Sequence, residues 1–254
     1  MPRVPSPKLL AKGEQFRPSL KGRVKESRRR GPPAVDNPNE YVARLRRLDA
    51  CAVSDALDSL SLSGSISGVP QASGDGRIAG RAVTLKLGTG EPPPGPPRHL
   101  GTTAIEAAGS DDVIVIEQRT GIDCGSWGGL LSLGAKLRGI AGVVCDGPVR
   151  DIDEARGHQF PIFTRKLTAK TGRGRVVELG TNVLVTFETV TVSPGDYVIA
   201  DRSAVIFIAA ADIGRVLEKA EAIAAKEAAI AERLRAGEPI SKVMAGNYEH
   251  MLRR

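Results

Sequence analysis

The sequence predicts a single α/β domain with a long C-terminal helix, and three observations carry that prediction. Aromatic residues make up only 4% of the 254 residues while Ala, Val, Ile, Leu and Gly abound, which suits helices on a sheet better than a β-sandwich. Short apolar runs of strand length alternate along the chain with segments of helix length. Finally, Ile213 to Ala236 sets Ile213, Val216, Leu217, Ala220, Ile223 and Leu234 mostly on one helical face. A chain of this length can bury one good core.

Residues 1–37 read as a basic, Pro-rich arm, extended or disordered or wrapped on a neighbouring subunit. Ten Lys or Arg stand against Glu14 and Glu26 within residues 1–30, so of the net charge of +7 the rest of the chain carries −1. The arm has no interleaved aromatics for base stacking, so a weak nucleic-acid contact is the less favoured reading. Its prolines interrupt an amphipathic presequence helix. No apolar run approaches the roughly 20 residues that cross a bilayer, and no secretory signal is evident. Cys51, Cys124 and Cys145 are odd in number and lack CxxC spacing, pointing to reduced thiols in a cytoplasmic protein, with Cys145 buried.

The domain is expected over residues 38–236. Asn39 is placed to cap a helix through Leu48, and Ser54 a second from Asp55 to Leu60. Gly- and Ser-rich turns run to Gly76, followed by a strand within Arg77–Leu87. Gly88 to Pro97 holds five prolines and three glycines and reads as a loop. Thr102–Ala108 is helical and Val113–Glu117 a strand. A helix over Leu130–Arg138, stopped by Gly139, leads to the apolar strand Ile140–Cys145. Phe160–Thr164 is a short strand, and Lys166–Arg175 a basic loop. Strands then follow at Val183–Phe187, Thr189–Val192, Tyr197–Ala200 and Ala204–Ala209. Asp212 caps the long helix, and residues 237–254 form a tail with one more helical piece.

Chemistry concentrates between Gly125 and Glu154. A helix of about ten residues is about 15 Å long and a strand of about six spans about 20 Å. A strand returning antiparallel to the helix therefore brings the Gly128-Gly129 turn beside Arg150 and Asp151. Free N–H groups at a helix start bind anions, and glycine allows close approach. Asp151 suits a hard divalent cation, Arg150 an oxyanion. Glu154 stands nearby, and Asp146 reads as a turn cap or a further metal ligand. Trp127 lines a pocket or packs beside the glycines. His99, His158 and His250 show no HExxH-type spacing, there is no Walker loop or GxSxG elbow, and Gly88-Thr89-Gly90 is too weak for a dinucleotide site.

Gly128-Gly129-Leu130-Leu131, then Asp146-Gly147-Pro148-Val149-Arg150-Asp151 and Glu154, resemble the core of the RraA-like family. That family holds class II 4-hydroxy-4-methyl-2-oxoglutarate / 4-carboxy-4-hydroxy-2-oxoadipate aldolases and regulators of ribonuclease activity. The likeness runs from about Tyr41 to Ala236 and includes Val53-Ser54-Asp55-Ala56-Leu57 and Ser193-Pro194-Gly195-Asp196. It implies a swivelling β/β/α domain assembled as a homotrimer or hexamer. It further implies that the N–H groups of Leu130 and Leu131 hold a pyruvate carboxylate, that Arg150 contacts the keto oxygen, and that Asp151 binds Mg²⁺ or Mn²⁺. Glu227 of the long helix, or else Glu232, is implied to join the metal site of a neighbouring subunit. The implied activity is release of pyruvate from a 4-hydroxy-2-oxo acid, with oxaloacetate decarboxylation alongside. One position departs: the aldolases carry Asp where Gly129 stands, and Gly129 is the pattern of the regulators, which bind a ribonuclease without catalysis. Asp146 or Glu154 is placed to compensate.

Overall fold

In the computed structural model, the structure describes residues 37–244; the basic arm and His250 lie outside that range. In chain order the elements begin with α1 (Pro38–Leu45) and α2 (Ala50–Ser59), then β1 (Ser65–Ile66), β2 (Gln71–Ser73) and β3 (Ile78–Gly88). Next come α3 (Thr102–Ala107), β4 (Asp112–Gln118), α4 (Gly129–Leu137), β5 (Gly142–Cys145), α5 (Ile152–Gly157) and β6 (Ile162–Thr164). Five short strands follow: β7 (Val177–Thr181), β8 (Val185–Phe187), β9 (Val190–Val192), β10 (Tyr197–Ala200) and β11 (Val205–Ile208). Helices α6 (Ile213–Arg235) and α7 (Ile240–Val243) close the described chain.

The main sheet runs β1-β11-β10-β3-β4-β5-β6-β2. Its centre, β3 to β6, is parallel, and its flanks are antiparallel. Strand β3 is long enough to pair β10 with its first half and β7 with its second on the same edge. Side chains alternate as the pleat requires. Ala79, Val83, Leu85 and Leu87 face the helices, while Ile78 and Ala82 face the β8–β9 hairpin side. The helical face carries two packs. One is α1, α2 and α6 over β10 and β11; the other is α3, α4 and α5 over β3 to β5.

Several local expectations are corrected. Asn37, not Asn39, caps α1 by accepting the Asn39 N–H at 3.1 Å. Asp49 caps α2 through the Ala52 N–H at 2.8 Å, five residues before the predicted cap; Ser54 sits inside the helix and pairs with Ser65. Asp212 stands at the start of α6, but its carboxylate takes Arg215 instead of a backbone N–H. Helix α5 and strands β1, β2 and β7 were not expected.

Candidate active site

The site forms where α4 begins. Gly128 is extended, and α4 starts at Gly129. The Ser132 N–H makes the first intrahelical bond, to the Gly128 carbonyl at 3.0 Å. That leaves the N–H groups of Gly129, Leu130 and Leu131 at a positive helix end. Gly129 donates to Asp151 Oδ2 at 3.3 Å, whereas the Leu130 and Leu131 amides have no hydrogen-bond partner among the described residues. The turn is fixed by its neighbours. Gly125 N–H donates to the Lys170 carbonyl, Ser126 N–H to Pro148, and Arg150 N–H to Trp127, all at 2.8–3.0 Å. Parallel strands β4 and β5 deliver residues 146–151 to this point, so the juxtaposition expected from helix and strand lengths is present.

Three glycines meet three charged side chains. A methyl group built on Gly125 would lie 2.7 Å from Arg150 Cγ, and one on Gly128 2.9 Å from Asp151 Oδ2. One on Gly129 would run into the Glu154 carboxylate. Any side chain at these places would displace the charged group it faces. Asp151 itself has φ of +55°, in the left-handed region that Asp tolerates better than most residues. Its carboxylate accepts from Arg150 Nε at 3.0 and 3.1 Å in addition to Gly129. That geometry starts α5 without a side-chain cap and costs about 1 kcal/mol or more of backbone strain.

Gly128 to Leu131, Arg150 and Asp151 all line one cavity of about 800 Å³. Its far side is made by residues 92–100, 171–174 and 176–180. Of these only the proline-rich loop stood out in the sequence; the rest come from a second loop and from strand β7, distant along the chain. Glu178 ties them together by accepting the Gly101 N–H at 2.9 Å and the Thr181 hydroxyl at 2.7 Å.

Other sequence candidates fall elsewhere. Asp146 does not reach the turn. Cys145 points to the α4 side, so the next residue points away, and Asp146 accepts the Glu188 N–H at 3.2 Å and faces Arg119 and Arg165. Trp127 meets both of its readings: it is buried, donates its indole N–H to Ser132 Oγ at 3.0 Å, and lines the same cavity. Within its own chain Glu227 lies near Asp49 and Asp55 of the α2 pack, and Glu232 pairs with Arg235. His99 borders the cavity with Nδ1 3.0 Å from the Leu100 carbonyl. Cys145 is buried, and burial pushes its thiol up to about 12.

The described residues hold no group of three or more His, Cys, Asp or Glu side chains able to cage a metal. At the turn, however, two carboxylates touch one glycine: Asp151 accepts its N–H and Glu154 covers its Cα. Such a donor set fits Mg²⁺, which takes one or two carboxylates and keeps several waters. No helix among the described residues is long and apolar enough to cross a membrane.

Comparison with known proteins agrees with this architecture. Residues 50–207 match the RraA-like family, described as Aldolase/RraA. Protein DlpA of Legionella pneumophila is 28% identical over 229 residues, 90% of this chain but 36% of that protein, so the chain spans about a third of that relative. A Halalkalibacterium halodurans protein provisionally named 4-hydroxy-4-methyl-2-oxoglutarate aldolase is 30% identical over 188 residues, 72% of this chain and 82% of its own length. A crystal structure of an uncharacterized Pseudomonas syringae protein superposes with TM-score 0.72 at 26% identity, covering 81% of this chain and 96% of that one.

Proposed function

Since the chain belongs to the RraA-like family, we propose that it is a divalent-metal-dependent lyase that releases pyruvate from a 4-hydroxy-2-oxo acid. The observation that supports this most directly is the pair of unpartnered amides, Leu130 and Leu131, sharing a cavity with Arg150 and Asp151. In this reading the two amides bind the substrate carboxylate at the helix start. The Arg150 guanidinium faces the C2 keto oxygen. Asp151, with Glu154 standing in for the carboxylate that Gly129 lacks, would hold Mg²⁺ or Mn²⁺, which when bound supplies Lewis-acid polarisation of the ketone.

The bond between C3 and C4 then breaks. Its electron pair enters a C2–C3 enolate, the C4 hydroxyl gives up its proton to leave as a carbonyl, and C3 takes a proton to give pyruvate. Arg150 neutralises charge growing on the C2 oxygen, the kind of contact whose loss costs about 10²–10³ in rate. Loss of CO₂ from oxaloacetate would pass through the same enolate, giving decarboxylation as a side activity. Assembly as a trimer or hexamer belongs to the same proposal, with Glu227 reaching a neighbouring subunit's site.

Pyruvate release from 4-hydroxy-4-methyl-2-oxoglutarate with Mg²⁺, and its loss in EDTA, is the test. Arg150→Ala should lower kcat about 10²-fold or more. Equal rates for wild type and Arg150→Ala would remove the assigned role. No turnover of any 4-hydroxy-2-oxo acid or of oxaloacetate would favour a non-catalytic regulator that binds a ribonuclease or other protein partner.

A further inference from the structure

The cavity beyond the reactive end has a character of its own. A pyruvate unit has about six non-hydrogen atoms, roughly 180 Å³ at the volume a water takes in the liquid, against a cavity of about 800 Å³. Most of the space therefore belongs to whatever C4 carries. One wall is the segment from Pro92 to Pro97, five prolines around Gly95. Proline has no N–H, so among residues 92–97 only Gly95 offers a carboxylate a backbone donor. Leu130 and Leu179, both exposed, and the partly buried Val177 supply further apolar lining.

The charges argue the same way. Glu178 lines the cavity with a carboxylate whose oxygens already accept Gly101 N–H and Thr181 Oγ1. No cation pairs with it among the described residues. A second carboxylate on the substrate would share the cavity with that charge. The cations present, Arg98 and Arg173, are exposed. There solvent and salt screen them, so they serve to attract an anion more than to fix its far end.

We infer that the group on C4 of the substrate is bulky and apolar, an aromatic ring being the type that flat proline rings pack against, in place of a second carboxylate. This rests on the proposed lyase reading. The reaction would take 4-hydroxy-2-oxo-4-phenylbutanoate to pyruvate and benzaldehyde, with the C3–C4 electrons going to the enolate and the hydroxyl proton lost as the aldehyde forms.

Binding and turnover separate the two readings. Isothermal titration of the full chain with Mg²⁺ compares 2-oxo-4-phenylbutanoate with 2-oxoglutarate, neither of which has a C4 hydroxyl to cleave. The phenyl compound should bind at least tenfold tighter. Leu179→Arg and Pro94→Asp, each with an unchanged melting midpoint, should cut that ratio at least fivefold. Equal or tighter binding of 2-oxoglutarate, or a ratio unmoved in both variants, overturns the inference, even where 4-hydroxy-4-methyl-2-oxoglutarate is cleaved and the lyase reading stands. Tighter phenyl binding with no pyruvate from either hydroxy acid upholds the apolar pocket and defeats the lyase reading instead.

Discussion

Two helix packs sit on the same face of one sheet, and both gather carboxylates, with opposite results. At the start of α4, Asp151 meets a backbone N–H and a guanidinium, and Glu154 closes over Gly129. Between α2 and α6, Asp55 and Glu227 lie among carboxylates, including Asp49, whose own carboxylate also caps α2. Burial, then neighbouring carboxylates, raise Asp55 and Glu227 above their usual range. A carboxylate with a donor and a cation is held in place and made useful. Carboxylates facing only each other store repulsion, which makes the second group an electrostatic cost within a single chain.

The largest expected effect comes from breaking the first arrangement at its tightest point. Gly129→Ala should lower pyruvate release about 10²-fold with little loss of stability, because the new methyl displaces the Glu154 carboxylate, the free end of an exposed side chain, from the turn. Adding Glu154→Ala should leave the activity low. Recovery of activity in the double variant would leave Glu154 as a spacer and undo the parallel with the aldolase carboxylate. A smaller change follows from Asp151→Asn. This keeps a residue tolerant of φ +55° while removing the charge, so Mn²⁺ binding followed by electron paramagnetic resonance should weaken about tenfold or more with the fold unchanged. Unaltered Mn²⁺ affinity would take Asp151 out of the metal site.

The first pack was far more legible in the sequence than the cavity it serves. Gly125 to Glu154 is contiguous: Gly139 stops α4, with φ of +74°, and the apolar run that follows is short enough to be a buried strand. Helix and strand lengths alone then put Gly129 beside Asp151. The far wall had no such contiguous cause, since the segment that follows β3 and residues 176–180 are joined by the β3–β7 pairing and by Glu178 on the Gly101 N–H. Strand β7 carries Glu178 and Gly180 and is only half buried, so it lacks the alternation that marks a strand. Helix α5 was hidden by Asp151, whose left-handed backbone turns an apparent strand end into a helix start. Of the two readings of Asp146, the metal ligand fails because one residue along a strand reverses the face, while its carboxylate does take a turn N–H, that of Glu188 between β8 and β9.

The second pack can be tested on α6 alone, where two glutamates six residues apart have opposite surroundings. Glu221 takes both Arg44 Nε at 2.8 Å and Nη2 at 2.9 Å, and that pairing lowers its carboxyl below the usual range. Glu227 is raised instead, by burial first and then by Asp49 and Asp55. Linkage fixes the signs. A lowered folded value means the Glu221 contribution is present above about pH 4.3, the ordinary glutamate value, and fades as pH falls through the folded value. A raised folded value means ionised Glu227 is a cost at pH 7 that disappears as pH falls through its folded value towards about 4.3. Glu221→Gln should thus destabilise by about 0.5 kcal/mol at pH 7, and Glu227→Gln should stabilise by a similar or smaller amount, both groups being only partly buried and so screened by solvent. Urea melts at pH 7 and again in acid would show the two gaps, opposite in sign, both shrinking as the carboxylates protonate. A destabilising Glu227→Gln would mean that this glutamate has a favourable partner the single chain lacks, as a neighbouring subunit's metal site would provide.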